Sequence, residues 1–181
     1  MMKFDIKKAE LSGIWGFSLI VSLLIMCGFL SFFLLKNPYK QLHSEIFSIA
    51  DNVRNYYRDK PSYWRLSTQS AKDDGLLNKE FIEKYQDYEI NVGQDSDGRL
   101  SLPSDMSFDI AVQHLNKSTC IGLLEMPLSD KQKLLLLKIN VQNKDRTKEY
   151  SWGGENTLPI AKFSARDICS TDENTLIWTF Q

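Results

Sequence analysis

Residues 14–35 read IWGFSLIVSLLIMCGFLSFFLL, from Ile14 to Leu35, without a charged side chain. A helix rises about 1.5 Å per residue, and about 20 apolar residues cross the hydrocarbon core of a bilayer. The run is long enough for that. A helix buried in a soluble domain would show a polar face, and here only Ser18, Ser22 and Ser31 interrupt the apolar surface. The run is therefore read as a membrane span. A cleaved secretory signal has an apolar region of about 7–15 residues followed by a small-x-small site. This run is longer, and Lys36-Asn37-Pro38-Tyr39 follows it, so the span is expected to stay with the mature chain. Lys3, Lys7 and Lys8 precede it, and Lys36 and Lys40 follow. The positive-inside rule then leans toward a cytoplasmic N-terminus, with the rest of the chain outside the cytoplasm.

The averages over the chain conceal this run. The 181 residues are 43% hydrophobic and 25% charged, with a net charge of −1 and a mean hydropathy of −0.31. Such values describe an ordinary soluble protein of one domain. They exclude a collagen, a disordered tail, a disulfide-dense miniprotein and a polytopic membrane protein. A charge near zero also argues against nucleic acid as the main partner, since dedicated binders carry a large basic excess. The averages are the sum of one strongly apolar helix and a polar remainder.

Beyond Pro38 the pattern becomes amphipathic. Leu42, Ile46, Ile49, Val53 and Tyr56 or Tyr57 recur at spacings of three and four, the signature of a helix with one buried stripe. His43, Ser44, Glu45, Asp51, Asn52 and Arg54 are assigned to the other face. The span and this stripe can form one helix kinked at Pro38, about 60 Å long from Phe17 to Tyr57. Pro61 ends it. In 67–88, Asn78 is placed to cap a helix over 79–85. Tyr88–Val92 reads as a strand, Asp95-Ser96-Asp97-Gly98 as a tight turn, and Arg99–Leu102 as the return strand. Ser107–Leu115 is a further strand. Asn116 caps a short helix running through Cys120 to Glu125. Lys133–Gln142 reads as a central strand and 143–156 as a polar loop. Thr157-Leu158-Pro159 carries a helix-start signature for a helix reaching Cys169, and Thr175–Phe180 is the last strand. Trp178 within it is a core residue. The sum is an α+β fold, a long N-terminal helix against an antiparallel sheet.

Cys27 lies within the span. Cys120 and Cys169 follow it and belong to no CxxC or Cys/His cluster, so zinc is not expected. In an oxidising compartment the two can pair, closing a loop that adds about 4 kcal/mol in the chain-entropy model. In a cytosolic domain they would be two buried thiols. The Asp95–Gly98 segment starts like a calcium loop, but its twelfth position is Met106 where a glutamate is needed. His43 and His114 have no metal spacing and read as surface or satisfied histidines. Phosphate-binding loops, GxSxG and HExxH are absent from the sequence, so no enzyme and no cofactor is indicated. Lys131, Lys133, Lys138, Lys144, Arg146 and Lys148 make a mildly basic stretch, read as a solvated face.

The basic leader ending at Gly16, followed by Phe17 and an uninterrupted apolar helix, resembles the type III signal of type IV pilins and pseudopilins. In that family a prepilin peptidase cuts after the glycine and N-methylates the new first residue, here Phe17. Pro38 falls at the twenty-second mature position, where pilins commonly carry a helix-kinking proline. The stretches Thr119-Cys120-Ile121-Gly122-Leu123-Leu124 and Ala165-Arg166-Asp167-Ile168-Cys169-Ser170-Thr171-Asp172 resemble the two cysteine segments of the type IVb branch. Within it they are most similar to pilins of the bundle-forming pilus type. The resemblance implies a Cys120–Cys169 disulfide and four parts. These are a leader (1–16), a transmembrane and assembly helix (17–37), its amphipathic continuation (38–58) and a periplasmic globular domain (59–181). It implies a single pass through the bacterial inner membrane. The partners implied are the prepilin peptidase, the inner membrane and other major and minor pilins, met through the N-terminal helix.

One position departs from the family. Most pilins carry glutamate at the fifth mature position, where it is thought to neutralise a neighbouring subunit's N-terminal amine. Here that residue is Val21. An intramembrane carboxylate is costly unless paired and so draws in a partner, a contact Val21 cannot make. The departure points to a minor pilin of an initiation or tip complex. The alternatives are a pseudopilin of a type II secretion system and an adhesin module at a filament tip.

Overall fold

The structure, a computed structural model, describes residues 38–94 and 106–181. The expected leader, the apolar run, Val21 and the 95–98 turn with its 99–102 return strand lie outside those residues. Helix α1 spans Pro38–Tyr57. The predicted stripe is the buried one: Leu42, Ile46, Ile49, Val53 and Tyr57 are in the core, joined by Phe47 and Ala50. Tyr56 is on the outside. Each large side chain in that stripe contributes about 1.5–3 kcal/mol by leaving water.

Two short helices follow, α2 (Thr68–Asp73) and α3 (Lys79–Lys84). Ser67 and Ser70 form a capping box on α2. The Asn78 side chain caps α3 by accepting from the Phe81 N–H at 2.7 Å, as its position in the sequence predicts. Strand β1 (Glu89–Gln94) begins the sheet and β2 (Phe108–Leu115) pairs antiparallel with it along its whole length, from Glu89↔Gln113 to Gln94↔Phe108. Helix α4 (Lys117–Leu124) comes next, then α5 (Asp130–Leu135), β3 (Leu136–Asn143), β4 (Thr147–Ser151), α6 (Lys162–Ile168) and β5 (Asn174–Phe180). The strand order is β1-β2-β5-β3-β4, antiparallel throughout.

The C-terminal strand is the central one. Trp178 stands opposite Ile110 of β2 and Ile139 of β3 and is almost wholly buried. Phe180 meets Phe47 of α1 edge-on, with ring centroids 5.4 Å apart, a favoured aromatic geometry. This corrects the expectation that Lys133–Gln142 is the central strand. Its first part is helical, because Ser129 and Gln132 form a capping box that satisfies the first N–H groups of α5. The strand starts only at Leu136, where Ile139 and Val141 favour it.

Two more expectations need correction. The stretch 143–156 is not all loop, since it contains β4. That strand sits on the sheet edge and buries only Tyr150, so its polar composition hides it. The helix expected from Thr157 starts five residues later, at Lys162. Thr157 instead bridges Ser151, and Leu158 and Ile160 are core residues that hold the chain against the sheet.

His43 does not lie on a polar face. It is 6% exposed, meets the Phe47 ring at 4.8 Å with the planes tilted by 45°, and lines with Leu123, Leu124 and Trp178 a cavity of about 10 Å³, room for one water at most. Burial penalises the charged ring and lowers its pKa from 6.5 to about 4. The unfolded chain therefore takes the proton first as the pH falls. Stability is expected to hold above about pH 6.5 and to decline from there to about pH 4, by roughly 3 kcal/mol in total for this group. Urea unfolding as a function of pH checks this. A His43→Leu variant should lose that part of the pH dependence, and identical profiles would contradict the assignment.

Candidate functional site

The residues singled out by the sequence meet around helix α4. Asn116 caps α4 by accepting from the Thr119 N–H at 2.9 Å. That fixes Cys120 one turn into the helix, fully buried. Cys169 ends α6 and is equally buried. Their sulfurs are bonded, with the α-carbons 5.9 Å apart, within the usual range for a disulfide. The bridge closes a 49-residue separation containing α5, β3, β4 and α6.

Polar groups bind the rim of this region to the sheet. Asn143 Oδ1 accepts from the N–H groups of Asp145 and Arg146, both at 3.0 Å, and turns β3 into β4. Its Nδ2 donates to the Ile168 carbonyl at 2.6 Å, beside Cys169. The Arg146 guanidinium reaches Asp167 Oδ2 at 3.1 Å. Asn174 Nδ2 donates to the carbonyls of Leu115 at 3.0 Å and Thr171 at 2.7 Å, so the chain enters β5 with these backbone groups satisfied.

The start of α1 rests on the same region. A Cβ built on Gly122 would lie 2.5 Å from Tyr39 Cδ2, so only glycine lets the Tyr39 ring approach α4. Tyr39 Oη also donates to Ser118 Oγ at 3.5 Å. Cysteine helix and α1 are thus in direct contact.

The basic stretch is not a plain solvated face. Lys131 pairs with Asp51 at 2.6 Å, Lys133 with Asp130 at 2.9 Å and Arg146 with Asp167 at 3.1 Å. Lys138 is 1% exposed and lies 3.5 Å from Glu149. Its Nζ is itself buried and makes no hydrogen bond, so Glu149 on β4 supplies the charge that offsets the burial. Nothing in the local sequence marks Lys138 as buried: alternation would set it on the face opposite Ile139 and Val141, yet all four residues from Lys138 to Val141 are buried. Among the described residues, no three His, Cys, Asp or Glu side chains converge as metal ligands do. No helix among them is long and apolar enough to cross a membrane.

No protein-family model matches the chain, and no curated protein matches its sequence. Among solved structures it is similar to the crystal structure of TcpA, a type IV pilin from Vibrio cholerae El Tor biotype. The TM-score is 0.58 at 14% identity, over 78% of this chain and 97% of that one.

The fold is that of a type IV pilin. At this identity the likeness is one of fold alone. In this pilin fold Pro38 opens the described part of α1, and Cys120 and Cys169 are bonded to each other. Gly16, Phe17, Val21 and the proposed kink around Pro38 concern residues outside the description. The sequence reading missed the Tyr39–Gly122 contact, although Gly122 stands inside the cysteine motif it quoted.

Replacing both Cys120 and Cys169 by serine should cost about 2–5 kcal/mol in urea unfolding. Gly122→Ala should cost about 1–3 kcal/mol by pushing the Tyr39 ring off α4. A Gly122→Ala protein as stable as the parent would show that the contact is loose.

Proposed function

We propose that the chain is a minor type IVb pilin, a structural subunit that takes part in pilus assembly in an initiation or tip complex. The observation that carries this reading is the fold likeness to a type IV pilin over 97% of that chain. The apolar run of the sequence, which ends immediately before α1, agrees with it. On this reading residues 1–16 are a leader, 17–37 the transmembrane and assembly helix, 38–58 its amphipathic continuation and 59–181 the periplasmic domain. A prepilin peptidase cuts between Gly16 and Phe17 and N-methylates Phe17. The chain crosses the inner membrane once. The Cys120–Cys169 bridge fits a periplasmic location, where disulfides persist.

Assembly then moves the apolar helix from lipid into a bundle of pilin helices. Both surroundings are apolar, so the exchange needs little driving force. Val21 gives no carboxylate to attract a neighbour's terminal amine, so the subunit is poorly suited to be the repeating one. The role is structural, and the globular domain selects which major and minor pilins fit beside it.

Mass spectrometry of the mature protein tests the processing. It should begin at an N-methylated Phe17, whereas an intact Met1 or a cut after Leu35 would overturn the reading. Deleting the protein should reduce the number of pili per cell. Normal pili with a secretion defect would favour a type II secretion pseudopilin instead. A Val21→Glu variant should alter incorporation, and unchanged assembly would remove the significance given to that position.

A further inference from the structure

The C-terminal end of α1 and the segment after it enclose a cavity of about 640 Å³, within the size range of small-molecule sites. Arg54, Arg58 and Lys60 line it. Among the described residues none of these three is ion-paired with a carboxylate. Arg58 donates to the side-chain oxygen of Asn55 instead. Lys60 Nζ stands 3.5 Å above the Tyr56 ring and 4.3 Å above the Tyr57 ring. The single carboxylate of the lining, Asp51, is held at 2.6 Å by Lys131, which also lines the cavity. The wall therefore carries four cations and one anion, in a chain whose net charge is −1. Cations gathered round a concavity focus a positive potential, and a bound anion relieves their mutual repulsion.

The rest of the wall narrows the choice of anion. Tyr63, half-buried beside the core residue Tyr57, gives the cavity an aromatic side. An inorganic ion would use the cations and leave that surface and most of the volume unfilled. A peptide strand would need an unpaired sheet edge, and no strand residue lines the cavity. A nucleic-acid strand needs cations along an extended track, whereas these converge on one hollow. A sugar ring that bears an acid group uses both parts. Guanidinium groups grip a carboxylate or sulfate in paired hydrogen bonds, and the exposed part of the Tyr63 ring meets the sugar's C–H bonds.

We propose that this cavity binds an acidic saccharide, a pyranose carrying a carboxylate or a sulfate. The site belongs to the domain itself and is independent of whether the chain assembles into a filament.

The test is calorimetric titration of the full chain in detergent with 3′-sialyllactose, a sulfated heparin disaccharide, lactose and sodium sulfate. One or both acidic saccharides should bind at least about tenfold more tightly than lactose and than sulfate, and the binding should weaken with added salt. The better of the two names the acid group. Arg54→Gln combined with Arg58→Gln should lower that affinity about tenfold or more. Both residues are exposed, and thermal unfolding should show the fold unchanged. Lys148→Gln on β4 should bind as the parent does. The proposal is overturned if lactose or sulfate binds as well as the acidic sugars, or if the double variant retains full affinity. It is also overturned if an aspartate-rich peptide binds more tightly through the same residues.

Discussion

The apolar face of α1 against the sheet is the interaction on which the rest of the domain depends. Most of a helix's stability in a folded protein comes from packing its apolar face, so α1 depends on what it covers. It covers β5, the strand that both halves of the sheet share. Phe47 against Phe180 marks that contact, and Ile46, Ala50 and Val53 of the same helix are buried in the core. Without α1 the Phe180 ring would lose its edge-on partner Phe47 and Trp178 would lose its neighbour His43. The disulfide acts on top of this. It ties α4 to the end of α6, so the two helices flanking the entry to β5 cannot separate even when the sheet breathes.

How much of this was legible in the sequence depends on how local the signal was. The α1 stripe, the Asn78 and Asn116 caps and the β5 strand were all readable, because periodicity and capping act within a few residues. The central place of β5 was not readable, since strand order is set by pairings between segments far apart in the chain. Strand β4 was hidden by its edge position, which leaves one buried residue in five and no alternation to see. The late start of α6 was hidden because Leu158 and Ile160 were needed in the core, and packing overrides a proline's helix-start signal. His43 was misassigned for a related reason: at the edge of a helical stripe, the protein around it decides which side faces in. For the candidate site, the two cysteines were visible as residue types. The glycine that lets Tyr39 approach was visible only as part of a quoted motif.

Charge is organised more tightly than the balanced composition suggests. In the stretch from Lys131 to Lys148 most cations have a carboxylate within reach, two of them from other parts of the fold, Asp51 and Asp167. At the far end of α1 the pattern reverses, and Arg54, Arg58 and Lys60 converge without a carboxylate partner among the described residues. The same helix therefore serves two regions: Tyr39 packs on the disulfide region, and the last turn supplies Arg54 to the cationic wall. A change in how α1 sits on the sheet would reach both.

That makes the docking of α1 the point to measure. Native-state amide hydrogen exchange on the full chain compares the Leu42–Val53 amides of α1 with the Leu176–Phe180 amides of β5. If α1 and the sheet form one cooperative unit, the most protected amides of both segments should open with the same free energy, that of global unfolding. If the α1 amides exchange through an opening well below that while β5 stays closed, the helix is an appendage and not the element that holds the domain together.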